Sequence, residues 1–190
     1  MKSKTVCVFA GARGKEYLMP ATKEITSLLV RSDWQIIYGG SSRGVMGQVC
    51  STVKELGGKI TGVLPQKIYE LQHFDKEIDT LVAETMASRK QMFWDRSDAY
   101  LALPGAYGTL DEIGEVLTLT KLGYLEPKPI VIFNQDGFYD PLRRLFQNMQ
   151  DCGLMGSDRA NLAQFADTPE EAVALINGQP IEARSGAWRF

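Results

Sequence analysis

The chain has 190 residues, of which 44% are hydrophobic and 23% charged, as is usual for one globular domain large enough to bury a core. Its formal net charge is −2 and its lysines and arginines are spread along the chain, so there is no electrostatic reason to expect a nucleic-acid partner. No apolar stretch approaches the ~20 residues of a membrane-spanning helix, so no membrane partner is expected either.

Short apolar runs and helix-like patterns alternate along the chain. The apolar runs that predict buried strands cover residues 5–10, 34–38, 59–64, 78–83, 99–103, 129–133 and 161–165. Apolar residues recur at helical spacing in residues 17–31, 45–56, 87–96, 109–122, 139–149 and 169–176. Residues 66–77 are polar and irregular, which predicts a surface loop, and a polar turn from Asn134 to Gly137 ends the sixth strand.

The strand segments are continuous runs of Val, Ile and Leu, which is typical of strands buried on both faces. Together with the strand–helix alternation, they predict an α/β fold: a Rossmann-like, doubly wound, mainly parallel sheet with helices on both faces. We expect one domain over residues 1–178 and a tail over residues 179–190, where Trp188 and Phe190 could dock on the domain or on a partner.

Cysteine and histidine usage argues against a metal site. Cys7, Cys50 and Cys152 are far apart and form no CxxC pair, which argues against both zinc and a disulfide framework. The apolar run at residues 6–10 is too short for a signal peptide core, so we expect a reducing, cytoplasmic setting. His73, the single histidine of the sequence, lies in a polar stretch and is expected at the surface. We expect neither a metal nor a cofactor.

Glycine-rich turns follow the strands that end near Ala10, Tyr38 and Leu103. Ligands of doubly wound sheets bind beyond the carboxyl ends of the strands, so we expect these turns to form one site. The turn after Leu103 leads into a helix, whose free N–H groups and dipole suit a phosphate. The cradle would consist of Gly105, Gly108 and Thr109, and the neighbouring turns would add Gly11, Gly40, Ser41 and Gly44.

Two common nucleotide-binding motifs are absent. The GARG sequence at residues 11–14 has the wrong spacing for the dinucleotide fingerprint GxGxxG. Gly14-Lys15 resembles the end of a P-loop, but Phe9 occupies the position of the first glycine and Glu16 that of the Ser or Thr. Hydride transfer and P-loop phosphoryl transfer therefore lack their usual residues.

Three ordered stretches carry a family resemblance. Residues 104–112 (PGAYGTLDE) match the signature PGGxGTxxE except at Ala106, residues 86–90 (MASRK) match M-x-x-R-K, and residues 39–47 (GGSSRGVMG) match a glycine-rich turn that ends in G-[LV]-M-G. In these stretches the chain resembles the LOG family of cytokinin riboside 5′-monophosphate phosphoribohydrolases, often labelled "possible lysine decarboxylase". No motif marks a Schiff-base lysine for pyridoxal chemistry, so the sequence does not support the decarboxylase label.

The resemblance implies a Rossmann-like homodimer, or a higher homo-oligomer, that hydrolyses AMP or N6-substituted AMP to the free base and ribose 5-phosphate. It assigns the family's essential arginine and glutamate to Arg89 and Glu112. The substrate, a nucleoside 5′-monophosphate, is expected to contact Lys90, Gly105, Ala106, Tyr107, Gly108, Thr109, Leu110, Asp111, Thr118, Gly11, Gly40, Ser41 and Gly44.

The chemistry of that reaction gives the two essential residues roles. Cleavage of the ribosyl C–N bond develops positive charge on the sugar, by analogy with glycoside hydrolysis, and Glu112 could stabilise that charge. Arg89 would bind the phosphate or orient Glu112, and no proton donor to the base can be assigned.

Simpler interpretations remain open. Thr109 to Glu112 also reads as a T-x-x-E capping box, which needs no ligand, and Arg89 could be a solvated helix residue beside Lys90. The sequence departs from the family pattern at Ala106, which replaces a glycine, and at Ala87-Ser88, which replaces a more polar pair, commonly His-Glu or similar. A nucleotide-binding or sensing protein with little turnover is therefore the alternative, and a hydrolase of another phosphate compound is a second.

Overall fold

The computed structural model describes residues 4–70, 74–155 and 162–178. Within these residues, seven strands form one sheet in the order β4-β3-β2-β1-β5-β6-β7, and all neighbouring pairs are parallel. The strands are β1 (Thr5–Phe9), β2 (Gln35–Tyr38), β3 (Ile60–Pro65), β4 (Asp79–Ala83), β5 (Ala99–Ala102), β6 (Ile130–Phe133) and β7 (Ala163–Ala166). The predicted α/β class is confirmed.

Helices cover both faces of this sheet. They are α1 (Met19–Arg31), α2 (Gly44–Glu55), α3 (Gln66–Glu70), α4 (Met86–Arg96), α5 (Tyr107–Lys121), α6 (Asp140–Asp151) and α7 (Pro169–Ile176). Buried residues of α1, α2 and α7 share one core cluster, whereas those of α4 and α5, with α6 packed beside them, belong to the other. Short 3-10 helices at Glu16–Leu18 and Gln135–Gly137 complete the described elements.

The central strands explain why the sequence shows no alternation of apolar and polar residues. In β1, Val6 and Val8 join the core beneath α1 and α2, while Cys7 and Phe9 join the core beneath α4 and α5. Successive side chains of a strand point to opposite faces, and here both faces are covered. Each fully buried side chain of this size contributes about 1.5–3 kcal/mol through removal from water.

The chain reverses its direction of winding beside β1. It builds β2, β3 and β4 outward on one side of β1, then returns to place β5 on the other side. The loops after β1 and β5 therefore diverge at this switch point, which opens a crevice at the carboxyl edge of the sheet. The two loops remain in contact at their base, where the Gly11 N–H donates a hydrogen bond to the Pro104 carbonyl (3.2 Å).

One predicted loop is partly wrong. Residues 66–77 were expected to be irregular, but Gln66–Glu70 forms α3. No residue of α3 is buried, so this helix has no apolar stripe from which a sequence pattern could reveal it. Its ends are joined instead by a polar pair, because Gln66 Nε2 donates to Glu70 Oε1 (3.0 Å).

Some expectations fall on residues outside the described ranges: His73, the start of the predicted strand at residue 161, and the tail at residues 179–190 with Trp188 and Phe190. Cys7 and Cys50 are buried and Cys152 is exposed, and all three are free thiols. Across residues 4–70, 74–155 and 162–178, no helix is both long and apolar enough to cross a membrane.

Candidate active site

A cavity of about 250 Å³ lies at the switch point between β1 and β5. Its wall combines the ends of β1 and β2 with the first turns of α2, α4 and α5. The lining residues are Val8, Ala10, Gly11, Ala12, Gly39, Met46, Arg89, Ala106, Gly108, Thr109 and Glu112. Arg89 and Glu112 are the charged members of this set, and the cavity brings them together as the sequence analysis expected.

Arg89 reaches the cavity from the start of α4. Thr85 caps this helix: its Oγ1 accepts a hydrogen bond from the Ser88 N–H, and Ser88 Oγ accepts one from the Thr85 N–H (3.0 Å each). This reciprocal pair is a capping box, which fixes where the helix begins. Ser88, one of the departures from the family pattern, therefore helps to set the position of the adjacent Arg89.

The Arg89 side chain is buried, with 10% of it exposed, and is held on several sides. Its Nε donates to the Val63 carbonyl of β3 (2.9 Å), and its guanidinium carbon lies 4.8 Å from the centre of the Phe93 ring. Gly39 gives it room, because a Cβ at that position would lie 2.7 Å from Arg89 Nη2. The guanidinium is thus fixed in direction before any ligand binds.

Glu112, from the second turn of α5, is the partner of this guanidinium. Arg89 Nη1 donates to Glu112 Oε1 (3.0 Å), and the glutamate side chain is also 10% exposed. Burial raises the pKa of Glu112 above its ordinary value of 4.5, although the charge and hydrogen bond of Arg89 oppose the shift. A carboxylate removed from water in this way gains strongly from any positive charge that develops in the cavity.

The start of α5 differs from the capping-box interpretation. The helix begins at Tyr107 with Ala106 as its N-cap, and no side chain caps it. Thr109 is thus already inside the helix, so the T-x-x-E capping box at residues 109–112 is wrong. Leu110 N–H donates to the Ala106 carbonyl (3.1 Å), and helix geometry leaves the amides of the three preceding residues without an intrahelical partner. This end of α5 can bind an anion.

Ala106 does not require glycine for its backbone. Its φ of −104° and ψ of −151° are extended values that any residue adopts. Gly105, in contrast, is tightly constrained, since a Cβ there would lie 2.0 Å from Thr109 Oγ1 and 3.1 Å from the Gly11 N. Gly105 therefore lets the two loops and the first turn of α5 pack together, while the Ala106 methyl lines the cavity.

Several predicted contact residues lie outside the cavity. Lys90 is directed away from it and pairs with Asp111 (2.9 Å) and Glu115 of α5. Tyr107 is 89% exposed, and Leu110 and Thr118 line a different, apolar groove. Gly40, Ser41, Gly44 and Gly105 do not line the cavity either.

The cavity also contains residues that were not assigned to the site from the sequence. Gly39 and Met46 lie inside the GGSSRGVMG stretch, so that motif indicated the right region but not the right positions. Val8 and Ala10 are strand residues whose apolar character gave no signal beyond burial. Among the described residues, no group of three His, Cys, Asp or Glu side chains could hold a metal ion.

Comparison with known proteins identifies the same family that the sequence motifs resemble. The family model described as "possible lysine decarboxylase" matches residues 46–176. The chain is 33% identical over 181 residues to a cytokinin riboside 5′-monophosphate phosphoribohydrolase of Arabidopsis thaliana, covering 91% of this chain and 77% of that protein. It is 34% identical over 176 residues to another from Oryza sativa subsp. japonica, covering 91% and 72%.

A solved structure has the same fold. It is the molybdenum cofactor binding protein from the phototrophic bacterium Rippkaea orientalis, with a TM-score of 0.73 over 94% of this chain and 98% of that chain. The sequence identity is 22%, so this similarity shows the fold alone.

Proposed function

This chain belongs to the possible lysine decarboxylase family, and from that premise we propose that it is a phosphoribohydrolase of nucleoside 5′-monophosphates. The substrate that we propose is AMP or an N6-substituted AMP, and the products are the free base and ribose 5-phosphate. The curated relatives named above support the reaction class. The identity of the base is our own inference.

One observation carries this proposal: the buried Arg89–Glu112 pair opens into the same cavity as the N-terminus of α5. The helix end suits the 5′-phosphate, and the carboxylate suits a cationic sugar. A phosphate bound at the helix end would place the ribose of the same nucleotide near Glu112, which lines the same cavity. None of the described lining residues is a lysine, which fits a sugar phosphate better than a Schiff-base reaction.

The reaction follows from these groups. As the C1′–N bond lengthens, its electron pair moves to the base and positive charge spreads over the sugar ring. The Glu112 carboxylate stabilises that charge, and Arg89 fixes the position of the carboxylate. Water adds its oxygen to C1′ and loses a proton, while the departing base takes up a proton, so that one water molecule is consumed overall.

The test is incubation of the pure protein with AMP, N6-isopentenyl-AMP and adenosine, with chromatography of the free base. We expect both monophosphates to be cleaved, and kcat/KM for adenosine to be lower by roughly 10²-fold or more, because the phosphate supplies binding energy to the reaction. Equal cleavage of adenosine would contradict the proposed role of the α5 N-terminus.

The second candidate function is nucleotide binding without turnover. Its support is Ala106, which lines the cavity at a position where the family signature has glycine. Calorimetry with AMP separates the two candidates. Tight binding without release of adenine from either monophosphate would favour the second.

We also propose that the protein is a homodimer in a reducing cytoplasm. A groove of about 470 Å³ between α5 and α6 is lined mainly by apolar side chains, among them Leu110, Leu117, Leu145 and Phe146, and no residue of α6 is buried. A second copy could cover this surface. Leu145→Glu should then shift the sedimentation of the protein from dimer to monomer, while Leu56→Glu, at the end of α2, should not.

A further inference from the structure

The turn after β6 is the polar motif that the proposed reaction does not use. It runs from Asn134 to Tyr139, and two of its residues have positive φ: Asp136 (51°) and Gly137 (74°). Asp136 makes this turn unusual, because a side chain disfavours that conformation. Such a backbone conformation persists where the surrounding structure holds it, and here the contacts of Asn134 and Tyr139 do so.

Asn134 organises the turn from inside the protein, with only 4% of the residue exposed. Its Oδ1 accepts a hydrogen bond from the Tyr139 N–H (2.7 Å), and its Nδ2 donates to Asp140 Oδ1 and Asp167 Oδ1 (2.9 Å each). The backbone of Asn134 is also held, because its N–H donates to the Ala166 carbonyl (2.7 Å). The backbone of Tyr139 is therefore held in place by Asn134.

Tyr139 connects this turn to the loop after β5. The residue is 2% exposed, and its hydroxyl donates to the Leu103 carbonyl (2.8 Å), one residue before Pro104. Burial raises the pKa of Tyr139, while a hydrogen bond from the backbone of Gly105 opposes the rise, so the hydroxyl remains protonated as a donor. One buried hydroxyl therefore holds the residue before Pro104, in the turn that leads into α5.

We propose that Tyr139 is a positioning residue that holds the turn at residues 103–106, and through it the N-terminal amides of α5, in place for the substrate phosphate. This inference rests on the proposed function. Two other described hydrogen bonds hold this turn, from Leu103 N–H to the Phe9 carbonyl (2.9 Å) and from Gly11 N–H to the Pro104 carbonyl (3.2 Å), and both join it to β1 and the loop after β1. Removal of the Tyr139 hydroxyl would leave the amides of α5 free to shift away from the phosphate position.

The chain supplies a matched control in Tyr100, on β5. Tyr100 is 1% exposed, and among the described residues its hydroxyl has no hydrogen-bond partner. Tyr100→Phe removes the same atom from the same core as Tyr139→Phe, but it breaks no contact with the turn. A difference between the two variants therefore reports the contact to Leu103 rather than the loss of a buried oxygen.

The experiment compares steady-state kinetics on AMP for the wild type, Tyr139→Phe and Tyr100→Phe. The shifted amides bind the phosphate less well in ground state and transition state alike, so we expect Tyr139→Phe to raise KM roughly tenfold or more and to keep kcat within about twofold. Tyr100→Phe should change neither. If Tyr139→Phe lowers only the melting temperature and leaves KM unchanged, the residue is merely structural and the proposal is overturned.

A second readout does not depend on catalysis. Amide hydrogen exchange at Gly11, Leu103 and Leu110, whose N–H groups donate to the Pro104, Phe9 and Ala106 carbonyls, should be faster in Tyr139→Phe, roughly tenfold or more, and unchanged in Tyr100→Phe. Equal exchange in the two variants overturns the inference even if the wild type proves inactive, whereas an inactive wild type overturns the proposed function alone. If Tyr139→Phe does not fold, Asn134→Ala must show the same faster exchange, because it releases the Tyr139 N–H.

Discussion

Helices α4 and α5 are joined by two sets of ion pairs that lie one residue apart on α4. In the inner pair, Arg89 and Glu112 each have 10% of the side chain exposed, and both line the cavity. In the outer set, Lys90 pairs with Asp111 and Glu115, whose side chains are 56% and 31% exposed, and none of the three lines the cavity. Neighbouring residues of a helix point about 100° apart, which sends one pair inward and the other outward.

The two sets have different physical consequences. The two outer carboxylates keep part of their hydration, although the Lys90 side chain is only 13% exposed, so the outer set joins the two helices for about 0–1 kcal/mol of stability. The inner pair loses most of its water, and a buried ion pair is often no more stable than packed apolar side chains. Its presence is therefore better explained by what it does in the cavity than by what it adds to stability.

The largest expected effect comes from breaking the inner pair at its carboxylate. Glu112→Gln keeps the shape and an oxygen acceptor for Arg89, but it removes the negative charge that would stabilise the sugar cation. We expect kcat on AMP to fall on the order of 10²–10³-fold, with the fold retained in circular dichroism. Glu115→Gln makes the same substitution in the outer set and should keep kcat within about threefold. A normal kcat in Glu112→Gln would remove this residue from the mechanism.

The next effect comes from the other half of the inner pair. Arg89→Met leaves the Glu112 carboxylate buried without its cation, which costs about 3–5 kcal/mol of the free energy of unfolding at neutral pH. Because protonation relieves that cost, stability of this variant should recover as the pH is lowered toward 5. Chemical denaturation at both pH values measures this, and equal losses at both would contradict the pairing.

The pH dependence separates the two sets further. The pKa of Glu112 is raised above 4.5, chiefly by burial and against the influence of Arg89, so kcat/KM should fall tenfold per unit of pH below a midpoint that lies above 4.5. A raised folded-state pKa also means that this group contributes to stability below its ordinary pKa, and that the contribution is lost as the pH rises through the folded value. The acid limb should be unchanged in Glu115→Gln.

A smaller effect is expected in the outer set. Lys90→Met removes the contacts to Asp111 and Glu115 but touches no atom of the cavity wall, so we expect a loss of about 0.5–1 kcal/mol in stability and less than a threefold change in KM for AMP. The sequence assigned Lys90 to substrate binding, and a tenfold rise in KM without loss of stability would support that assignment.

The smallest effect is expected at Ala106, the N-cap residue of α5, which belongs to neither set of ion pairs. Ala106→Gly removes a methyl from the cavity wall, and the extended backbone does not need the change. We expect up to a threefold gain in kcat/KM and a loss of roughly 0.5–1 kcal/mol from the added chain freedom. A large gain would mean that this methyl limits the approach of the phosphate.

The sheet could be predicted from the sequence because its strands are uninterrupted apolar runs, such as residues 99–103, and local composition decides that pattern. The carboxyl-edge location of the cavity followed from the glycine-rich turns by topology alone. The hydrogen bond between Arg89 and Val63, and the close approach of Gly39 to Arg89, could not be foreseen, because both depend on how α4 lies against β2 and β3. The start of α5 was misjudged because a T-x-x-E pattern caps a helix only if the chain is not already helical there.

The reciprocal contacts between Thr85 and Ser88 bear on how relatives with other residues at this point should be compared. Where the family pattern carries a glutamate in place of Ser88, a longer side chain could return to the same Thr85 amide, since glutamate is the residue most often found in that role. A substitution of serine by glutamate at this position would therefore keep the start of α4 and the position of the Arg89 guanidinium unchanged. A difference at this residue alone is therefore no evidence of a different substrate preference.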